Sequence, residues 1–214
     1  MHDIQKIVLS IVPLLFAIIL HEVSHGWVAE KLGDPTARMM GRITLNPISH
    51  IDPIGSIILP GILLLTGSPW VFGWAKPVPV NFGNLRGGRR DMALVALSGP
   101  LCNFVLAVLS SIIFHLTVRG AAGPAGISDR IIVPVHMMAS YSVLYNLVLM
   151  VINLLPILPL DGGRIVAGLV PVRIAMAMAR MERYGMLIVL LLIALGIWSY
   201  VVGPVIYIFW RILM

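Results

Sequence analysis

The chain has 214 residues, of which 59% are hydrophobic and only 11% are charged, and its mean hydropathy is +0.98. Soluble domains carry about 25% charged residues, so this composition excludes an ordinary soluble protein and indicates an integral membrane protein. The net charge of +6 comes from basic residues spread between apolar segments, which favours topology signals over a nucleic-acid surface. The single cysteine, Cys102, excludes an intramolecular disulfide and a cysteine-based zinc cage.

Four apolar segments are long enough to cross a membrane, which takes about 20 residues. The predicted spans are residues 4–30, 91–118, 131–155 and 185–213. The first resembles a signal peptide in length, but no small-residue cleavage site follows it, so we expect it to be retained. Basic residues cluster between the spans in a pattern that predicts an external N-terminus and a cytoplasmic side for the ends of the first and third spans.

Two shorter segments predict elements of another kind. Residues 53–67 are apolar but contain Pro60 and Gly61, which predicts a short span or a re-entrant element. Residues 70–84 alternate and carry β-branched and aromatic side chains, which predicts a strand or hairpin packed on the helices or lining a wet cavity. Together these patterns predict an all-α integral membrane protein with about four to five transmembrane helices and a short re-entrant or β-hairpin element, in a single domain over residues 1–214.

The sequence HEVSH, residues 21–25, lies near the end of the first predicted span. Residues four apart share one helix face, so His21 and His25 can bind one metal ion. Glu22 lies one step round the helix, where its carboxylate can take a proton from water, as in the HExxH pattern of zinc proteases. Ionisable residues in a span cost about 2.5–3.5 kcal/mol each, which favours a functional over a structural interpretation.

A third ligand is predicted from the sequence NLLPILPLDGGR, residues 153–164. Pro156 and Pro159 disrupt the end of the third span, and glycine at position 162 allows close approach of another backbone. Unwound backbone at membrane depth lies inside the protein or lines a cavity, so Asp161 is a candidate metal ligand. The alternative is that Asp161 caps a helix that starts at Gly162.

The combination of HEVSH, SGPLCN (residues 98–103) and NLLPILPLDGGR resembles the site-2 proteases, which are intramembrane zinc metalloproteases. The resemblance implies one catalytic zinc ion bound by His21, His25 and Asp161, with Glu22 as the general base. It also implies that Asn153 contacts the substrate backbone or the developing oxyanion, although Asn153 could instead form an interhelical hydrogen bond. A close-packing segment is implied for Gly99, Pro100 and Asn103, and a role in the cleft for Gly162.

The resemblance is to compact bacterial members without a PDZ or CBS domain. It implies a multi-pass protein of the bacterial inner or plasma membrane, with the active site towards the cytoplasm. The expected partners are the lipid bilayer and a transmembrane or signal-peptide-like substrate that is cut by regulated intramembrane proteolysis. No nucleic-acid partner is expected.

Several alternatives stay open at this stage. A zinc or divalent-metal transporter with a HExxH-like site would need a second helix rich in metal ligands, and an inactive scaffold would have no use for these motifs. The substrate is predicted to lie extended between residues 70–84 and 153–161, by addition to a strand edge; a cytoplasmic lid or packing role for the first segment is equally consistent. His50 and Asp52 could form a second metal site, although a surface turn is favoured.

Overall fold

The computed structural model describes residues 3–67, 73–120 and 127–214. The described chain is helical, and no strand is found in these three stretches. The α-helices are α1 (Asp3–Lys31), α2 (Thr36–Met39), α3 (Leu59–Leu65), α4 (Arg89–Gly120), α5 (Ile127–Asn153), α6 (Asp161–Leu169), α7 (Val172–Ala194) and α8 (Ile197–Leu213). The other elements are two 3₁₀ helices (Pro47–His50 and Phe82–Asn84) and one π-helix (Pro53–Ile58).

Three of the described helices are long and apolar enough to cross a membrane. They comprise Gln5–Lys31 of α1, Arg89–Val118 of α4 and Arg130–Asn153 of α5. This confirms the all-helical membrane class, whereas the predicted total of four to five spans is not confirmed. The segment predicted as a fourth span, 185–213, is divided between α7 and α8 by Gly196, whose φ of +69° lies in the left-handed region that favours glycine.

The apolar segment predicted as a short or re-entrant element is helical. The π-helix continues directly into α3, and Asp52 caps its start by accepting hydrogen bonds from the backbone amides of Ile54 and Gly55. Thirteen helical residues extend about 20 Å, which is shorter than the roughly 30 Å hydrocarbon layer. This element is therefore too short to cross the bilayer as a straight helix.

The predicted strand or hairpin over residues 70–84 is not found in the part of this segment that the structure describes. Residues 70–72 lie outside the described residues. Residues 73–81 are neither helix nor paired strand, and a 3₁₀ helix follows at Phe82–Asn84. We call residues 73–81 the extended segment.

Proline explains why the extended segment does not pair as a strand. Pro77 and Pro79 have no backbone N–H, so alternate donors of a ladder are missing on one edge. The other edge is held by isolated hydrogen bonds, such as that from the amide of Lys76 to the carbonyl of His50 (2.9 Å). The buried guanidinium of Arg42 donates to the Lys76 and Pro77 carbonyls at 2.9 and 3.3 Å. Alternation predicted extended backbone here but could not predict its partners.

Helix α4 is the centre of the packing, because it contacts α1, α5 and α6. A buried cluster joins α4, α5 and α8 through Ala107, Val143, Leu147 and Val202, each at most 1% exposed. Large apolar residues elsewhere on the long helices are half exposed, as expected of surfaces that contact lipid. The contacts of α4 with α1 and α6 bring the three predicted motifs to one place.

Candidate active site

The structure brings His21, His25 and Asp161 together at the junction of α1 and α6. The Nε2 atoms of the two histidines are 3.1 Å apart, and they lie 3.1 and 3.2 Å from Oδ2 of Asp161. Both imidazoles are buried. Among the residues that the structure describes, His21, His25 and Asp161 form a group of potential metal ligands. One donor atom from each lies within 4.8 Å of the other two.

The three donor atoms fit a tetrahedral zinc ion. Two ligands that bind zinc at about 2.0–2.1 Å lie about 3.3 Å apart in a tetrahedral site, close to the separations observed. Oδ2 of Asp161 is buried and accepts no hydrogen bond of acceptable geometry, although two imidazole nitrogens lie beside it. A metal ion bound by all three atoms would satisfy this buried oxygen. Three protein ligands leave a fourth position for water or substrate, as in catalytic zinc sites.

Each histidine is oriented through its other ring nitrogen. His21 Nδ1 is 2.5 Å from the side-chain oxygen of Asn103, and His25 Nδ1 is 2.7 Å from the backbone carbonyl of Val95. Both partners are acceptors, so in the neutral ring each Nδ1 carries the proton and each Nε2 has a free lone pair. Such contacts fix the tautomer and ring direction of metal-binding histidines.

The SGPLCN sequence lies on α4 directly against these imidazoles. A Cβ built on Gly99 would lie 2.5 Å from Nε2 of His25 and 2.6 Å from Cε1 of His21, so only glycine fits here. Pro100 and Asn103 are fully buried. The residues implied as a close-packing segment thus pack against the candidate metal site, and Asn103 also bonds a candidate ligand, a role that the sequence did not indicate.

Asp161 is the first residue of α6. Leu160 occupies the N-cap position and no side chain caps this helix, so the alternative in which Asp161 caps a helix from Gly162 is wrong. A Cβ on Gly162 would lie 2.3 Å from the carbonyl oxygens of both Leu154 and Leu155. The absence of that Cβ lets the start of α6 approach the unwound backbone that follows α5.

Glu22 lies beside the ligand group but outside it. Its Oε2 accepts a hydrogen bond from the backbone amide of Val78 in the extended segment, at 2.9 Å. A cavity of about 60 Å³ is lined by Val78, His25, Asp161 and Arg164, among others, and a space of this size has room for a few water molecules. The site therefore combines a carboxylate, a candidate metal group and space for water.

Asp34, which follows α1, anchors the far end of the extended segment. This fully buried carboxylate accepts hydrogen bonds from Thr36, from the backbone amide of Asn81 and from the side chain of Asn84. Burial acts to raise the pKa of Asp34, but these hydrogen bonds outweigh it and lower the pKa below its ordinary value. Because Asn81 is three residues from Val78, Asp34 helps to hold the amide that contacts Glu22.

Three other residues that the sequence analysis named, Asn153, His50 and Asp52, lie outside the candidate metal group. Asn153 ends α5, and its amide donates to the carbonyl of Leu149 in the same helix at 3.1 Å. Its contact with substrate stays a prediction. His50 is buried and bonds the carbonyl of Thr44, while Asp52 caps the π-helix. The alternative of a metal site at His50 and Asp52 gains no third ligand from the described residues.

Sequence reasoning also missed the backbone amide of Val78 and the side chain of Arg164, which contact the site or its surroundings. The amide of Val78 is a backbone group, which no motif reveals. Arg164 lines the cavity, with its guanidinium carbon 5.2 Å from the ring centre of Phe82 and its Nη2 3.9 Å from Glu182. Its place directly after LDGG was a usable signal, because an α-helix brings residue i+3 onto the face of residue i.

Comparison with known proteins adds an independent line of support. Residues 118–196 match the family model described as Peptidase family M50. The chain is 37% identical over 204 residues to YwhC of Bacillus subtilis, which is named as a zinc metalloprotease; the match covers 91% of this chain and 84% of YwhC. It is 29% identical over 201 residues to Rip2 of Mycolicibacterium smegmatis, also so named, covering 90% of this chain and 70% of that protein. No solved structure matches the chain.

Proposed function

Because the chain belongs to peptidase family M50, the site-2 protease family of zinc metalloproteases, we propose that it hydrolyses a peptide bond within or near a transmembrane segment of a membrane-protein substrate. The observation that carries this proposal is the triangle formed by His21 Nε2, His25 Nε2 and Asp161 Oδ2, which joins the ends of apolar helices. We propose that the substrate reaches this site from the bilayer, because His21 and His25 lie on a helix long and apolar enough to span it. The zinc-transporter alternative is not favoured, because the relatives are named as metalloproteases.

In the proposed mechanism, His21, His25 and Asp161 hold the catalytic zinc that the family uses. Bound zinc supplies Lewis acidity, which polarises a carbonyl group and allows water to act as a nucleophile near neutral pH. Asn103 and the Val95 carbonyl hold the two imidazoles in the tautomer that this binding needs. The small cavity beside His25 and Asp161 has room for the water that this reaction consumes.

Glu22 is the proposed general base. Its Oε2 is engaged by the amide of Val78, so Oε1 is the atom that accepts the proton from the attacking water. The same proton then passes from Oε1 to the amine that leaves when the peptide bond breaks. The Val78 amide thus orients the Glu22 carboxylate through Oε2 and leaves Oε1 available to accept the proton.

The extended segment bounds the proposed substrate cleft on one side, and residues 153–161 bound it on the other. The segment's own hydrogen bonds limit strand addition: Pro77 and Pro79 have no N–H, and the amides of Lys76 and Val78 already bond His50 and Glu22. The backbone amides of residues 76–79 are therefore not offered to a substrate, whereas the carbonyls of Val78 and Pro79 can accept hydrogen bonds from one. We propose that the substrate lies extended there and donates its own amides.

The proposed location is a bacterial inner or plasma membrane, with residues 1–214 as one multi-pass domain. The relatives named above are bacterial, and the continuous packing of α4 on α1, α5 and α6 supports a single unit. A cytoplasmic active site is supported by the positive-inside rule, because basic residues cluster where α1 ends and where α4 begins. Those residues are Lys31, Arg38, Arg42, Arg86, Arg89 and Arg90.

The proposal is tested by reconstituting the purified, zinc-loaded protein in liposomes with a panel of single-span peptides and locating cleavage by mass spectrometry. Wild type should cut at least one peptide within or near its apolar segment. Glu22→Gln should reduce the rate by about 10²–10⁴-fold, the range for loss of a general base. Glu30→Gln is the matched control, because Glu30 lies on the same helix but pairs with Arg38 outside the site.

Two results would contradict the proposal. One is cleavage confined to soluble peptides, which would leave a metalloprotease that does not act in the membrane. The other is equal activity of Glu22→Gln and wild type, which would remove Glu22 from the reaction.

A further inference from the structure

A ladder of buried polar side chains leads away from the candidate zinc site, and the proposed mechanism uses only its first two members, His21 and Asn103. It runs from His21 on α1 through Asn103 on α4 to Asn146 and Ser142 on α5. Asn103 and Asn146 are 0% and 1% exposed. Polar side chains inside an apolar helix bundle are costly unless they are paired. The hydrogen bonds of this ladder supply that pairing, and their directions are informative.

The hydrogen bonds of the ladder all point in one direction. His21 Nδ1 donates to Oδ1 of Asn103, at 2.5 Å. The Asn103 amide nitrogen donates to Oδ1 of Asn146 at 2.8 Å and to the Ala17 carbonyl at 3.2 Å. The Asn146 amide nitrogen in turn donates to the backbone carbonyl of Ser142, at 2.8 Å. The carbonyls of Ala17 and Ser142 belong to the backbone and can only accept, so together they set the direction of the ladder.

This direction decides which atom of Asn103 faces the histidine. If the Asn103 amide were flipped, its oxygen would face two acceptors, the Ala17 carbonyl and Oδ1 of Asn146, and its NH₂ group would face His21. His21 would then be driven to carry its proton on Nε2, the atom that must be unprotonated to bind zinc. Asn146 and the Ala17 carbonyl therefore act together to favour one tautomer of His21, a residue that Asn146 does not contact.

We propose that Asn146 is a positioning residue of the metal site: it locks the Asn103 amide and thereby keeps the Nε2 lone pair of His21 directed at the zinc. This inference rests on the proposed zinc site and adds to it a residue outside the three recognised motifs. The alternative is that the ladder only stabilises the packing of α4 against α5 and has no effect on the metal site.

The test is a double-mutant cycle on zinc affinity, measured by chelator competition on full-length protein in detergent. Asn103→Leu should weaken zinc binding about 10–100-fold, the usual effect of losing a partner of a metal-binding histidine. Asn146→Leu should weaken it by at least about threefold, and the double variant should be no weaker than Asn103→Leu alone, because both act through one contact. An unchanged affinity in Asn146→Leu, or two effects that add in full, would overturn the proposal.

Ser110→Ala is the matched control for adhesion. Ser110 donates to the hydroxyl of Ser142 at 2.7 Å and so joins the same two helices without setting the amide direction. This variant should retain wild-type zinc affinity within about twofold. A loss of zinc affinity in Ser110→Ala equal to that in Asn146→Leu would assign the effect to weakened packing of α4 against α5 and overturn the proposal.

Two further measurements keep the test decisive. If Asn146→Leu does not fold, ¹⁵N NMR of zinc-loaded wild type should find His21 protonated on Nδ1, with its signal assigned from His21→Gln; a ring protonated on Nε2 would overturn the proposal. His21→Ala separates the two levels of inference. Loss of zinc in His21→Ala with full affinity in Asn146→Leu would defeat this inference alone, whereas retention of zinc in His21→Ala would defeat the site itself.

Discussion

Gly99→Ala gives a sharp test of the geometry, because it adds one methyl group at the closest approach of α4 to the candidate ligands. The added carbon would lie 2.5 Å from His25 Nε2 and 2.6 Å from His21 Cε1. Contacts of this kind settle near 3.5 Å, so the imidazoles or the helix must move by about 1 Å. Zinc ligands hold their distances within about 0.2 Å, so a shift of this size cannot leave the site intact.

We expect Gly99→Ala to weaken zinc binding at least as much as the loss of a hydrogen bond to a ligand does, about 10–100-fold. That factor corresponds to about 1.4–2.7 kcal/mol. The assay is chelator competition in detergent, with zinc per chain measured after dialysis. Gly203→Ala in α8 is the matched control, because a Cβ there meets nothing within 4 Å. Wild-type zinc affinity in Gly99→Ala would refute the placement of the imidazoles against α4.

Two other substitutions test the supports of the site. Gly162→Ala places a Cβ 2.3 Å from two backbone oxygens, so it should lower the free energy of unfolding by about 1–3 kcal/mol and reduce zinc occupancy. Gly61→Ala is the control and should change neither quantity, because a Cβ there meets nothing within 4 Å. Equal melting temperatures for the two variants would contradict this expectation. Asp34 has a lowered pKa in the folded protein, so its stabilising contribution is present above about pH 4 and is lost as the pH falls through its folded pKa. The gap in melting temperature between zinc-free wild type and Asp34→Asn should therefore be largest at neutral pH and should shrink below about pH 4; a gap that is constant with pH would exclude this origin.

The sequence predicted what depends on local spacing. Two histidines four residues apart on an apolar helix share one face of that helix. Few acidic residues other than Asp161 follow an apolar span at a point where proline interrupts the helix. The three candidate spans found in the structure coincide with the first three predicted segments, because length and hydropathy alone decide them.

What the sequence did not predict depends on contacts between distant residues. Asn103 is 82 positions from His21 and 43 from Asn146, so the direction of the amide ladder exists only after α1, α4 and α5 pack. The amide of Val78 reaches Glu22 across 56 positions, and the alternating pattern around it was interpreted as a strand. Alternation indicates extended backbone, but Pro77 and Pro79 remove the donors that a strand needs.

The zinc content per chain of wild type, Glu22→Gln and Asp161→Ala, purified in the same detergent, distinguishes a base from a metal ligand at these two positions. If Glu22 is the base and Asp161 a ligand, wild type and Glu22→Gln should each hold about one zinc ion per chain, and Asp161→Ala should lose most of its zinc. Loss of zinc in Glu22→Gln with retention in Asp161→Ala would show that the two motifs do not form one hydrolytic site.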